Sequence, residues 1–143
     1  MIPFSVSLPN RVRFAVGAVD HISEMVAELC AKGAGVLVLT DKGIAGTGVP
    51  ARVASSLNDA GFEACLLDTV PAEPTDADLD SIAAAIRFTK TMAIIAIGGG
   101  SVMDATKVLS VLGGNNWTTA ELAERGVPGK GIPCIMLPTT AGT

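Results

Sequence analysis

Three consecutive glycines, Gly98 to Gly100, stand between an apolar run and a segment with the composition of a helix. Residues without a Cβ let the backbone turn sharply and let a bulky anion come close to its amide groups. The next helix is expected to begin near Ser101, so that its first N–H groups and positive dipole end point at that anion. The pattern therefore predicts a phosphate-binding turn that a diphosphate would fit.

Ser101 and Asp104 offer a second interpretation of the same turn. Their spacing is that of a capping box, in which side chains satisfy the first N–H groups of a helix without any ligand. A capped helix needs one glycine at most, so the presence of three favours the phosphate interpretation. Lys107, one turn further on, either reaches the same cleft or extends into solvent.

A second glycine pattern competes for the same role. Residues 46–51, GTGVPA, match the dinucleotide fingerprint G-x-G-x-x-A, and Asp68 lies about twenty residues further on, where a ribose-binding acid is expected. In that fingerprint the first glycine directly follows a strand, whereas here the segment 41–45 intervenes. We therefore expect a loop at this point, followed by a helix that Pro50 opens.

The elements that must position these residues alternate along the chain. Apolar runs predict strands over residues 11–16, 35–40, 62–68, 92–97 and 134–137. Helices are predicted from Asp20 to about Lys32, from Pro50 to Ala60, after a capping box at 75–78, and over 102–112. This alternation predicts an α/β fold in one domain over residues 1–143. The expected architecture is a doubly wound, mostly parallel, Rossmann-like sheet with helices on both faces.

Ligands of such sheets bind at the carboxyl ends of the strands. Asp41, Asp68, the segment 98–101 and the segment 138–143 all follow predicted strands. We expect them to line one cleft.

Composition argues against several classes of partner. The formal net charge is −4 and no run of Lys or Arg occurs, so neither a nucleic acid nor an anionic membrane surface is expected to bind. No apolar run approaches the ~20 residues needed to span a bilayer, and the amino terminus lacks the pattern of a secretory signal. The expected location is the cytoplasm.

Residue types that bind metals are sparse. Cys30, Cys65 and Cys134 are far apart and lack a Cys-x-x-Cys pairing, so we interpret them as reduced core residues. His21 is the single histidine, and its place in the first helix favours a surface or capping role. These residues predict no metal site within the chain.

Three segments together resemble the amino-terminal nucleotide-binding domain of the iron-containing, or group III, alcohol dehydrogenases. They are 40-TD-41, 98-GGGSVMDATK-107 and 138-PTTAGT-143. The resemblance follows the order of elements over the whole chain. One small departure is Thr106, which stands where the family often has a small apolar residue.

The resemblance implies roles in binding NAD. The loop from Gly98 to Ser101 would cradle the diphosphate. Asp41 would hold the hydroxyls of the adenosine ribose and favour NAD over NADP, since its carboxylate would repel a 2′-phosphate. Further contacts are implied for Thr139, Thr140 and Thr143 on the adenine and diphosphate side, and for Asp104 and Lys107 near the nicotinamide and substrate.

The resemblance also implies a metal, Fe²⁺ or another divalent ion, held by a second, helical domain after Thr143. We therefore expect the cofactor-binding half of an NAD-dependent alcohol dehydrogenase, inactive by itself toward a small alcohol or aldehyde, and a homo-oligomer. Two alternatives stay open. One is a free-standing nucleotide-binding module without catalysis, and the other is a relative such as a glycerol dehydrogenase or a dehydroquinate synthase.

Overall fold

A four-stranded parallel sheet forms the centre of the fold. The computed structural model describes residues 11–127 and 129–141. The strands are β1 (Gly35–Thr40), β2 (Glu63–Leu67), β3 (Thr91–Gly98) and β4 (Cys134–Pro138), in the spatial order β2-β1-β3-β4. All three pairings are parallel, which confirms the predicted α/β sheet.

Helices cover both faces of this sheet. They are α1 (Ile22–Ala27), α2 (Lys42–Ala45), α3 (Val49–Asp59), α4 (Asp76–Phe88), α5 (Gly100–Asn115) and α6 (Thr119–Arg125), with a short 3₁₀ helix (Ala18–His21) ahead of α1. One core joins α1 and α3 to the face that carries Val38 and Ile95. The other core joins α4 and α5 to the face that carries Leu39 and Ile94. The sheet is therefore doubly wound, as predicted.

The central strands bury residues on both of their faces. In β3 every residue except Met92 is buried, and in β1 every residue after Gly35 is buried. Continuous apolar runs are what a parallel strand between two helical layers requires, because neither face meets water. Strand β2 lies at an edge of the sheet, and Glu63, Cys65 and Leu66 are exposed there.

The predicted strand over residues 11–16 is wrong. This segment forms no strand, and the side chains of Phe14 and Val16 are fully exposed. Arg11 and Arg13 instead form ion pairs with Glu28 of the segment after α1. An alternating pattern specifies a strand only where a neighbouring strand and a core receive it, and the described part of the chain supplies neither at this position.

The first helix is shorter than predicted. Asp20 lies inside the 3₁₀ helix instead of capping α1, and α1 ends at Ala27 instead of near Lys32. Beyond it the chain turns toward the end of α3, where the N–H of Gly33 donates to the carbonyl of Gly61 at 2.7 Å. This tertiary bond requires the chain to leave the helix early.

Helix α6 lies in the polar stretch 115–124, for which no element was predicted. A capping box between Thr118 and Glu121 begins it. Asp80 of α4 also accepts a hydrogen bond from the N–H of Thr119 at 2.8 Å, and the Arg125 guanidinium lies 5.1 Å from the centre of the Trp117 ring. A helix this short and polar is marginal alone, so contacts with α4 decide whether it forms.

Candidate functional site

The glycine turn joins β3 directly to α5. Strand β3 ends at Gly98, Gly99 is the N-cap residue, and α5 begins at Gly100, one residue earlier than predicted. The alternative interpretation, a capping box of Ser101 and Asp104, is wrong, because Gly99 is the N-cap and no described side chain caps this helix. The Asp104 carboxylate instead accepts a hydrogen bond from Lys107 Nζ at 2.7 Å. The first N–H groups of a long helix are therefore left to other acceptors.

The three glycines have different surroundings. A Cβ on Gly98 would lie 2.6 Å from Cγ2 of Val102, so Gly98 lets α5 pack against the end of β3. A Cβ on Gly99 would touch Cγ2 of Thr140 at 3.4 Å. A Cβ on Gly100 would meet no described atom within 4 Å. Internal packing therefore explains Gly98 but leaves open space at Gly100.

Asp41 lies at the carboxyl end of the neighbouring strand β1. Its Oδ1 accepts a hydrogen bond from the N–H of Ile44 at 2.9 Å, so the side chain caps the one-turn helix α2. Thr40, just before it, is fully buried and donates from Oγ1 to the carbonyl of Ile97 at 2.6 Å. The bond from Thr40 fixes the end of β1 against the end of β3. The bond from Ile44 holds the Asp41 carboxylate in one orientation.

An open cavity of ≈ 680 Å³ lies over the ends of β1, β2 and β3. This volume is within the range of about 300–1,000 Å³ that is usual for small-molecule and cofactor sites. Asp41, Asp68, Gly99, Gly100 and Ser101 line it, as the rule of strand ends predicted, whereas Gly98 does not. The lining segments are 41–43, 68–72 and 99–102.

Sequence reasoning missed several lining residues. Lys42 and Gly43 belong to α2, a helix too short to give a periodic signal. The loop 69–72 follows β2, and its N–H at Val70 donates to the carbonyl of Thr40 at 3.3 Å. The position after a strand was the available signal for this loop, but its side chains carry no motif.

Thr139 and Thr140 lie beside the glycine turn, outside the lining of the cavity. The N–H of Thr139 donates to the carbonyl of Gly98 at 2.9 Å, and the Thr140 side chain packs near Gly99. The segment after β4 therefore contacts the glycine turn without lining the cavity. Thr143, the third predicted threonine, lies outside the described residues.

Asp104 and Lys107 lie further along α5 and do not line the cavity. They form an exposed ion pair on one side of the helix. Thr106 is fully buried, and its hydroxyl donates to the carbonyl of Val102 at 2.7 Å. Packing and this bond accommodate the residue that departs from the family pattern.

In the described part of the chain, no group of three or more His, Cys, Asp or Glu side chains could hold a metal ion. His21 is exposed, and its Nδ1 lies 3.0 Å from Oε1 of Glu24. The cysteines are free, but the prediction that they are core residues is wrong for Cys65, which is exposed on β2. Cys30 and Cys134 are half-buried, and burial raises the pKa of the Cys134 thiol.

The sequence of this chain matches the family model of the iron-containing alcohol dehydrogenases over residues 9–143. This chain belongs to that family. A relative, the sulfoacetaldehyde reductase of Bilophila wadsworthia, is 33% identical over 94% of this chain and 34% of its own length. The long-chain-alcohol dehydrogenase 1 of Geobacillus thermodenitrificans is also 33% identical, over 89% of this chain and 33% of its own.

A solved member of the iron-containing alcohol dehydrogenases has the same fold. The sulfoacetaldehyde reductase of Bifidobacterium kashiwanohense, crystallised in complex with NAD⁺, superposes with a TM-score of 0.82 at 27% identity. The match covers 100% of this chain and 38% of that one. The chain thus spans about a third of the length of the curated relatives named above. Among the described residues, no helix combines the length and apolar character that a membrane span needs.

Proposed function

We propose that this chain binds NAD as the cofactor-binding part of a dehydrogenase, which transfers a hydride between a small alcohol or aldehyde and nicotinamide. The observation that carries the proposal is the uncapped amino terminus of α5, opening on a cavity at the ends of three parallel strands. The named relatives reduce or oxidise different compounds, so the proposed substrate is the alcohol and aldehyde class. The bound cofactor supplies the hydride acceptor or donor.

The diphosphate of NAD is proposed to lie against Gly99, Gly100 and Ser101. Their amides belong to the first turn of α5, where unpaired N–H groups and the helix dipole favour an anion. The open space at Gly100 supports this position, because no described protein atom would collide with a side chain there. Thr139, Thr140 and Thr143 are proposed to complete the diphosphate and adenine side of the site.

Asp41 is proposed to accept hydrogen bonds from the adenosine ribose. Its half-buried carboxylate lines the cavity and is held by the N–H of Ile44. A fixed carboxylate suits a neutral diol and repels a 2′-phosphate, so NAD is the proposed cofactor and NADP the disfavoured one. Asp104 and Lys107 are proposed to lie toward the nicotinamide and substrate.

The metal that the family name implies does not fit the described residues, which contain no suitable group of ligands. We propose that Fe²⁺ or another divalent metal is bound by a second, helical domain after Thr143. Residues 1–143 by themselves would then bind cofactor without turning over substrate. The whole protein is proposed to be a cytoplasmic homo-oligomer.

Titration with NADH and NADPH, followed by nicotinamide fluorescence, tests this function. We expect saturable binding that prefers NADH. Asp41→Asn keeps an oxygen for the N–H of Ile44 and removes the charge, so affinity for NADPH should rise about tenfold or more. A chain that folds but binds neither cofactor would contradict the proposal.

A further inference from the structure

A second carboxylate, Asp68, shares the cavity with Asp41. Asp68 directly follows β2, the strand beside β1 at the edge of the sheet. Leu39 and Leu67 are the last paired residues of β1 and β2. Asp68 is the next residue after Leu67, and Asp41 is the second residue after Leu39. Neighbouring strands lie about 4.8 Å apart, so the backbones of the two aspartates lie side by side where they line the cavity.

Asp68 lines the cavity, but the glycine fingerprint over 46–51 does not. Gly46 and Gly48 flank the ends of α2 and α3 and do not line the cavity. The fingerprint over 46–51 is therefore a turn that leads into α3, with Pro50 in the first turn of that helix, as expected, whereas its acidic partner does line the candidate site. Asp68 is half-buried there, and no described hydrogen bond or ion pair engages its carboxylate.

Charge in the cavity opposes an additional phosphate. The lining carries the carboxylates of Asp41 and Asp68 and one ammonium group, that of Lys42. The exposed ammonium of Lys42 is screened by water, while both carboxylates are half-buried. A neutral ribose diol can donate hydrogen bonds to carboxylates, but a 2′-phosphate would add about two negative charges close to both of them.

We infer that Asp68 is a second specificity-determining residue, which acts with Asp41 to select NAD over NADP. The inference rests on the proposed binding of NAD. Asp41 is committed through Oδ1 to the N–H of Ile44, whereas the Asp68 carboxylate has no such described partner. Asp68 follows β2, which lies one strand further than β1 from the glycine turn, so we expect it to act mainly through its charge.

The test compares the dissociation constants for NADH and NADPH in the wild-type chain, Asp68→Asn, Asp68→Glu and Glu63→Gln. Asp68→Asn should bind NADPH about three- to tenfold more tightly and NADH nearly as before, since one nearby charge is removed. Asp68→Glu should keep the wild-type preference. Glu63→Gln removes an exposed carboxylate from the opposite end of β2, and it should leave the NADH-to-NADPH ratio unchanged.

Salt gives a second readout. Raising the ionic strength should improve NADPH binding relative to NADH binding in the wild-type chain, and improve it less in Asp68→Asn, because screening weakens the repulsion of the 2′-phosphate that the variant lacks. Normal NADH binding with an unaltered NADPH constant in Asp68→Asn would overturn this inference alone. An equal loss for both cofactors would overturn it too, by showing a structural role. A wild-type chain that binds neither cofactor would overturn the proposed function, and this inference with it.

Discussion

At the scale of single residues, the glycines of the turn differ in what surrounds them. A Cβ on Gly98 would collide with Val102, while a Cβ on Gly100, the first residue of α5, would face open space. The same residue type therefore meets two different demands within three positions. Sequence identifies the triplet, but only the neighbouring atoms show which glycine serves which purpose.

Substitution of these glycines should separate the two demands. Gly100→Ala meets no protein atom and replaces a poor helix former, so its melting temperature should stay level or rise. Its Cβ would stand where the diphosphate is proposed to bind, so affinity for NADH should fall about tenfold or more. Thermal unfolding and NADH titration measure the two effects.

Gly98→Ala provides the matched contrast. Its Cβ would lie 2.6 Å from Val102, so the melting temperature should fall as α5 is pushed from the sheet. A Gly100→Ala chain that binds NADH as tightly as the wild type would place the diphosphate elsewhere.

At the scale of elements, capping decides where several helices begin. The box of Thr75 and Asp78 was predicted and is confirmed, with both reciprocal hydrogen bonds present. The box of Ser101 and Asp104 has a similar spacing but does not form, because Asp104 pairs with Lys107 and α5 begins before it. Spacing alone cannot distinguish the two cases, since both sequences satisfy it.

The capping box of Thr75 and Asp78 should make the free energy of unfolding decrease as the pH becomes acid. Hydrogen bonds from the Thr75 side chain and backbone hold the pKa of Asp78 below its ordinary value. A carboxyl group with a lowered pKa in the folded state stabilises the fold above its ordinary pKa, and this contribution is lost as pH falls through the folded-state pKa. The free energy of unfolding should therefore drop less between about pH 6 and about pH 3 in Asp78→Asn than in the wild type.

Urea unfolding at the two pH values measures that difference. Glu121 in the box of Thr118 behaves in the same direction, because hydrogen bonds from Thr118 lower its pKa. Asp76→Asn, which removes a neighbouring charge outside the box, serves as the control. Identical pH slopes in Asp78→Asn and the wild type would show that this box contributes no proton-linked stability.

At the scale of the whole molecule, the end of α5 positions β4. Ser110 of α5 and Ile132 exchange two hydrogen bonds, from Ile132 N–H to the Ser110 carbonyl at 3.0 Å and from Ser110 Oγ to the Ile132 carbonyl at 2.7 Å. Gly114 and Gly131 allow this approach, since a Cβ on Gly114 would lie 3.2 Å from the Gly131 Cα. This contact leads into β4 and thus to Thr139 beside the glycine turn.

A methyl group at the contact between α5 and the segment 131–132, the crossing of these two stretches of chain, should destabilise the fold. In Gly131→Ala the Cβ would stand 2.8 Å from backbone atoms of Ser110, which cannot move without disturbing α5. We expect a loss of about 1–3 kcal/mol in the free energy of unfolding, as for other overpacked sites. Gly129→Ala, two residues away and in open space, should change it by less than about 0.5 kcal/mol. Chemical denaturation of both variants measures the difference, and equal stabilities would show that the crossing is loose.

The amino-acid sequence by itself determined the buried strands, the capping box of Thr75 and Asp78, and the glycine turn. Strands β1 and β3 are continuous apolar runs, and a parallel strand between two helical layers demands nothing more. Tertiary structure decided what depends on partners distant in sequence. The segment 11–16 has the alternation of a strand but no strand pairs with it among the described residues, and α6 has little periodicity but is held by Asp80. The order of strands also decided which of the predicted strand ends line the cavity. The end of β2 lies beside the end of β1, so Asp68 lines it as expected, whereas Thr139 and Thr140 follow β4 at the other edge of the sheet and do not.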